Sequence, residues 1–410
     1  MRQPGAAFWG LLAVVACSGT SPAMPGGESG ADDPVLPPAA GGDQPWPGPA
    51  QVAGGDERGT LGKDLSGLVW VEGPDGAAQL WAVQNQPGRL FRLVGGVGVG
   101  GADGQGGDGP PGVWRLEAPG SWASPRQLRY PSGAGSPDAE GVTAVGPAGG
   151  HDSGGHDSGG HDPGVHDPGV GDDPGMLVLY VAAERDNEAG GLSRNSVLRY
   201  EVDPHVDPLG ASGTELVATH EWNLTDLLPG TAANGGLEAI AWVPDEVLVA
   251  NGLVDERTGE PYAPEAGTSH AGGLFFVGIE DTGEVQALAL DHDTGLARIV
   301  QRIAAPFDHV TALEADLETG ELLLLCDDRC SGRTAVLRVG TGAPGTVAGR
   351  YSVVARHRRP EGADNWNVEG LAIAPRSYCS EASASRAVIW ADDGATADHA
   401  LRVGAFSCEY

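Results

Sequence analysis

Five short segments each place one polar residue inside a small or apolar stretch. They are Asp64-Leu65-Ser66-Gly67-Leu68, Asp138-Ala139-Glu140-Gly141-Val142, Gly236-Leu237-Glu238-Ala239-Ile240, His309-Val310-Thr311-Ala312-Leu313 and Asn367-Val368-Glu369-Gly370-Leu371. Aligned, they make Ser66, Glu140, Glu238, Thr311 and Glu369 equivalent, with Asp64, Asp138, His309 and Asn367 two residues earlier. A separation of two puts both residues on one side of an extended chain. Like-charged carboxylates that converge without compensation must hold either protons or a cation. An oxygen-rich set with little His and no Cys suits Ca²⁺, and Mg²⁺ less well. The metal-ligand candidates are therefore Glu140, Glu238, Glu369, Asp138 and Asn367. A bracing role, with each Glu accepting backbone N–H groups from a neighbouring segment, is equally compatible with the sequence. His309 is the candidate general base, or else a plain lining residue.

Other constellations carry less. Apart from Cys17 there are four cysteines, Cys326, Cys330, Cys379 and Cys408. An even number suggests disulfides, and proximity favours 326–330 and 379–408 among three pairings. No His stands at zinc-ligand spacing beside them. Asp291-His292-Asp293-Thr294-Gly295 reads as a hairpin turn rather than a Ca²⁺ loop. No Gly-x-Ser-x-Gly elbow supports a serine hydrolase. Arg356-His357-Arg358-Arg359 is the one basic run, a possible anion handle or a solvated loop.

The repeat must be positioned by something. Each segment is followed by further apolar runs rich in Val and Leu and broken by turn signals such as Asp281-Thr282-Gly283. Second runs are Leu80–Val83, Met176–Ala183, Val247–Ala250, Leu322–Leu325 and Ala387–Ala391; fourth runs include Val113–Leu116 and Glu215–Trp222. No long segment has helical period. Short strands in repeated units predict an all-β chain, a β-propeller of five four-stranded blades with a sixth possible. The fifth unit lacks a fourth run, so a strand from around Gln51–Leu61 is expected to close it. First-strand starts and second-strand ends share a face. That adds Asn85, Glu184, Asn251, Asp327 and Asp392 to Ser66, Asp64 and Thr311 at one channel mouth.

The chain has 410 residues, 24 Lys+Arg against 56 Asp+Glu, and a formal charge of −32. This excludes nucleic acid as a partner. Met1-Arg2 and the apolar stretch Ala6–Ala16 read as an export signal, too short to span a bilayer. Val14-Val15-Ala16-Cys17 resembles a bacterial lipobox, which implies lipidation at Cys17 and, with Ser18 next, an outer-membrane anchor. Residues 18–58 read as a flexible Gly/Pro-rich tether, ahead of a propeller spanning 59–410. Inserts at 95–112 and 149–175 read as disordered loops. The second holds a His-Asp repeat (His151, His156, His161, His166) that is either a metal-binding tract or a tolerated expansion.

Residues 60–408 resemble the bacterial phytase-like β-propeller family, described as having esterase-like activity of phytase. The resemblance is carried by Leu65-Ser66-Gly67-Leu68, Asp138-Ala139-Glu140-Gly141, Val178–Glu184 with Arg185-Asp186-Asn187, Asn234-Gly235-Gly236-Leu237-Glu238, Asn367-Val368-Glu369-Gly370-Leu371 and Val388-Ile389-Trp390-Ala391-Asp392-Asp393. It implies an acidic, Ca²⁺-binding mouth and hydrolysis of phosphate or other esters. Phosphoester chemistry needs cations, yet Lys63 is the only lysine and the arginines are scattered. Two expectations follow. One is a monomeric, Ca²⁺-dependent hydrolase of small-molecule esters or phosphoesters. The other is a non-catalytic surface propeller binding a protein or glycan, with any metal structural.

Overall fold

The computed structural model describes residues 42–409 apart from 74–75, 96–111, 118–121, 146–175, 191, 204–213, 229–230, 265–269 and 380–383. The export signal, Cys17, the tether up to residue 41, the 149–175 insert with its His-Asp repeat, and all but the ends of the 95–112 insert lie outside the described residues.

The chain forms a five-bladed β-propeller. A short strand β1 (Ala53–Gly54) precedes the blades. Blade one contains β2 (Leu65–Glu72), β3 (Ala78–Gln84), β4 (Arg89–Gly95) and β6 (Arg126–Arg129). Strand β5 (Trp114–Leu116) pairs with the far end of β4. Blade two is β7 (Pro137–Val145), β8 (Leu177–Asp186), β9 (Ser193–Val202) and β11 (His220–Asn223). The intervening β10 (Glu215–Val217) leaves blade two and adds in parallel to β6 of blade one. Blade three is β12 (Leu237–Pro244), β13 (Gly273–Ile279), β14 (Glu284–Leu290) and β15 (Ala297–Ala304). Blade four is β16 (Ala312–Ala315), β17 (Leu322–Leu325), β18 (Thr334–Val339) and β19 (Tyr351–His357). Blade five is β20 (Val368–Ile373), β21 (Ser385–Asp392), β22 (Leu401–Ser407) and β1, whose Ala53 pairs with Val403.

Apolar packing lies between blades. The core divides into five clusters, each joining two neighbouring blades. In β3, Leu80 and Ala82 face blade five while Trp81 and Val83 face blade two. A strand covered on both sides needs no polar face, which is why the second strands read as continuous apolar runs. The inner strands β2, β7, β12, β16 and β20 touch in a closed ring.

The structure corrects three expectations. Val247–Ala250 is not a strand; it lies in a short helix α1 (Asp245–Ala250). Pro244 caps that helix and Asp245 and Glu246 fill its first turn, a favourable place for negative charge. The second strand of blade three is β13, one element later. The fourth strand of blade one is β6, with Val113–Leu116 only partly represented by the appended β5. Finally, residues 42–58 are not a free tether. Trp46 packs on Trp390 and Phe406, with ring centroids 5.4 Å apart in both pairs, and its Nε1 donates to Ala405 O at 2.8 Å. Asp56 accepts from the N–H of Ala400 at 3.1 Å. One large aromatic outweighs the glycines and prolines around it.

Candidate acidic site at the channel mouth

Each inner strand breaks register where its polar residue sits. Partner positions skip from Leu65 to Leu68 in β2, from Ala139 to Gly141 in β7, from Leu237 to Ala239 in β12 and from Val368 to Gly370 in β20. The skipped residues are Ser66 with Gly67, Glu140, Glu238 and Glu369. Blade four does the same at its strand entry, where Thr311 N–H donates to Leu325 O although Ala312 is the residue paired with Leu325. A β-bulge re-aims the extra side chain. Here it turns a repeated polar residue out of the blade packing and toward the axis. The glycines beside the bulges let the ring close: a Cβ on Gly370 would lie 2.1 Å from Ser66 O. The resulting channel encloses about 180 Å³ between Gly67, Gly141, Glu238, Thr311, Glu369 and Gly370.

Glu140 and Glu238 are buried, and their carboxyls are pushed well above the usual range by desolvation and then by neighbouring carboxylates. Among the charges acting on Glu140 are Asp138, Glu369 and Glu184. Glu369 is raised to about 8, by burial first and then by Asp393. Glu184 is raised to about 7 by burial, against hydrogen bonds from the N–H groups of Gly236 and Gly235. Asp138, fully buried, is raised by desolvation and pulled back by Arg185, whose Nη2 is 2.6 Å away. Both Asp138 oxygens and Glu369 Oε2 are sealed from solvent and lack a well-aligned hydrogen-bond donor.

The other predicted residues divide by role. Ser66 Oγ lies 2.8 Å from Glu140 O and 3.0 Å from Glu140 Oε2. Thr311 donates to Val368 O at 3.1 Å. These two hydroxyls, together with Glu184 accepting from Gly235 and Gly236, brace one blade against the next. Asn367 donates to Glu369 Oε1 at 3.0 Å and to Asp393 Oδ2 at 3.1 Å, so its amide orients acids. Asp64 takes a left-handed backbone conformation, φ 64°, and its N–H donates to Asp393 O. Asp392 is committed to Arg402 at 2.7 Å. Asp327 accepts from the N–H of Arg329, and His309 Nδ1 lies 3.3 Å from Arg329 Nη1. Cys326–Cys330 and Cys379–Cys408 are disulfides. The first closes the loop that carries Asp327 and Arg329.

Asn251 is not at the mouth. It ends α1, exposed, and donates to Thr319 O at 2.7 Å. Its expected place is taken by Glu280, directly after β13, whose N–H donates to Gly236 O. The apolar run of α1 imitates a strand, and that hides Glu280 in the sequence. The sequence also leaves the cations unplaced. Arg185 lies beside Asp138 and Glu184, and Arg329 lies 2.6 Å from Glu280. The basic run holds the N-terminal segment instead. Arg356 pairs with Asp43 at 3.1 Å, and His357 lies 3.0 Å from Pro45 O.

Asp138, Glu140 and Glu184 each offer an oxygen within 4.8 Å of the others. Buried carboxylate oxygens at mutual distances a single ion spans fit a hard cation taking carboxylate ligands. Glu238 on blade three and Glu369 on blade five stand on other faces of the same channel.

The fold and this mouth define the class: a five-bladed propeller whose inner-strand bulges gather carboxylates at one end of the axis. No family model matches the chain, and no curated protein matches it. Solved structures do. A nidogen/laminin complex aligns with TM-score 0.31 and 11% identity over 84% of this chain and 80% of that one. An inactive variant of virginiamycin B lyase from Staphylococcus aureus, with quinupristin, aligns with TM-score 0.29 and 9% identity over 84% and 67%. Neither likeness bears on what this chain does.

Proposed function

We propose that this propeller is an exported, lipid-anchored hydrolase of esters or phosphoesters that holds Ca²⁺ at its acidic mouth, in keeping with its resemblance to the phytase-like propellers. The observation that carries the reading is the meeting of Asp138, Glu140 and Glu184, all three buried, with an oxygen of each within 4.8 Å of the others. Such a group is costly as free carboxylates and well suited to a divalent ion. Glu238, Glu369 and Asn367 flank it. Bound there, Ca²⁺ would polarise an ester oxygen as a Lewis acid.

The chain's own groups supply the rest. Arg185 and Arg329 are donors for an anionic or developing oxyanion charge. Glu238, whose carboxyl is pushed well above the usual range by burial and then by neighbouring acids, is the candidate to give a proton to a leaving oxygen. His309, beside Arg329 at the rim, is the candidate proton acceptor.

The test uses the full chain. Ca²⁺ is titrated calorimetrically into the wild type and into a variant with Glu140, Glu238 and Glu369 all changed to Gln, and both are assayed on an ester and phosphoester panel with and without EDTA. Saturable binding and EDTA-sensitive turnover, both lost in the variant, are expected. Binding without any turnover would make the propeller a non-catalytic platform. No binding in the wild type would overturn the metal site.

A further inference from the structure

A second cavity lies on the same face. It is a cleft between blades four and five that opens to solvent, with Trp46, Trp366 and Trp390 in its wall. An aromatic lining with a few polar groups at the rim is typical of small-molecule sites. The cavity adjoins the acidic mouth through a single stretch of chain. Trp366 and Val368 line the cavity, while Asn367 and Glu369 face the acids. Residue period two on the approach to β20 therefore builds the aromatic wall on one side and the acidic wall on the other.

Three polar side chains of this cavity are already engaged. Trp46 Nε1 donates to Ala405 O. Arg359 donates to Ala363 O, Ser331 O and Asn365 Oδ1. Asn365 Nδ2 donates to Asp328 O at 3.0 Å. Along the indole walls a hydroxyl-rich ring would leave hydroxyls unmatched, which costs free energy. A flat aromatic ring asks for no hydrogen bonds and gains from the indole faces.

We propose that the cleft between Trp46, Trp366 and Trp390 binds an aryl group, so that the substrates are aryl esters or aryl phosphoesters whose ring sits in the cleft and whose ester reaches the acids. This rests on the hydrolase reading for the word substrate, but not for the binding of the ring.

The experiment separates the two. para-Nitrophenol is titrated calorimetrically into the full chain, into Ala363→Trp, which fills the cleft, and into Glu140→Gln, which alters only the mouth. One-to-one binding by the wild type and by Glu140→Gln, weakened at least tenfold in Ala363→Trp, is the expected result. Trp366→Ala, with a melting curve beside it, provides the same test should Ala363→Trp fail to fold. In parallel, KM is compared for para-nitrophenyl acetate and ethyl acetate. Ring binding without turnover of either ester supports the cleft and removes the hydrolase. Turnover of both esters with equal KM, no para-nitrophenol binding and no effect of either cleft variant overturns the cleft and leaves the hydrolase. Binding of methyl glucoside in place of para-nitrophenol also overturns it.

Discussion

At the scale of single residues, the mouth sets charge against burial. Glu184 and Glu369 have folded-state values of about 7 and about 8, above the 4.5 of an unburied Glu. The folded state therefore holds more protons than the unfolded chain between these values. Stability without metal is full below about pH 4.5 and falls as pH rises through 7 to 8. Urea titrations in EDTA at pH 5 and pH 8 are expected to show the lower midpoint at pH 8, and millimolar Ca²⁺ is expected to restore it. Equal midpoints in EDTA would mean that the acids are better solvated than their burial implies.

Arg185 gives a complementary prediction. Arg185→Gln leaves Asp138 buried without its cation, a loss of about 3 kcal/mol for a broken buried pair. The loss should shrink at pH 5, because Asp138, already raised by desolvation, then takes up a proton. Denaturation midpoints at the two pH values check this. A loss independent of pH would point to packing instead of charge. Much of this site was legible, because Glu140, Glu238 and Glu369 sit in register in a repeat. Arg185 and Arg329 were visible as residues but not as neighbours, since both reach the mouth from loop or strand ends that carry no period.

At the scale of elements, the bulge is the device that converts a repeat into a site. It works only because the strands come very close at the axis. Gly370→Ala would put a Cβ 2.1 Å from Ser66 O, whereas Gly42 has nothing within 4 Å of the same position. The first substitution is expected to cost about 1–3 kcal/mol or more, and Gly42→Ala to be nearly neutral, as read by urea midpoints. A tolerated Gly370→Ala would mean that the ring is looser than the close approach implies. The elements most readily misread were those whose apolar residues fit two periods. Val247–Ala250 is four apolar residues long, yet Leu248 is buried and Val249 is 48% exposed, as on a one-sided helix. The acidic pair Asp245-Glu246 after Pro244 was the available sign of a helix start. Strand β6 was hidden by its charges: Arg126 is fully buried, with its guanidinium over the Trp122 ring.

At the scale of the molecule, stability is circular. Five interblade cores share the load, and blade five is sealed by residues far apart in sequence. Trp46→Ala is expected to lose about 3–5 kcal/mol, as for other large buried aromatics. Replacing Cys379 and Cys408 by Ser is expected to lose about 2–4 kcal/mol by relaxing the same blade. Calorimetric melting of each variant and of their combination tests whether they act on one element. Fully additive losses would argue for two independent ones.

The pairing of Ala53 with Val403 also has a consequence in time. During synthesis Ala53 leaves the ribosome long before its partner Val403, so the ring stays open until β22 has been made. Folding of a chain with such distant partners is slow. Until β22 arrives, the apolar edges of the first and fifth blades wait uncovered, which is the interval when chaperone binding matters most. Nascent chains released before Val403 should therefore be captured by holdases and digested by protease, and extension by a few more residues should abolish both together.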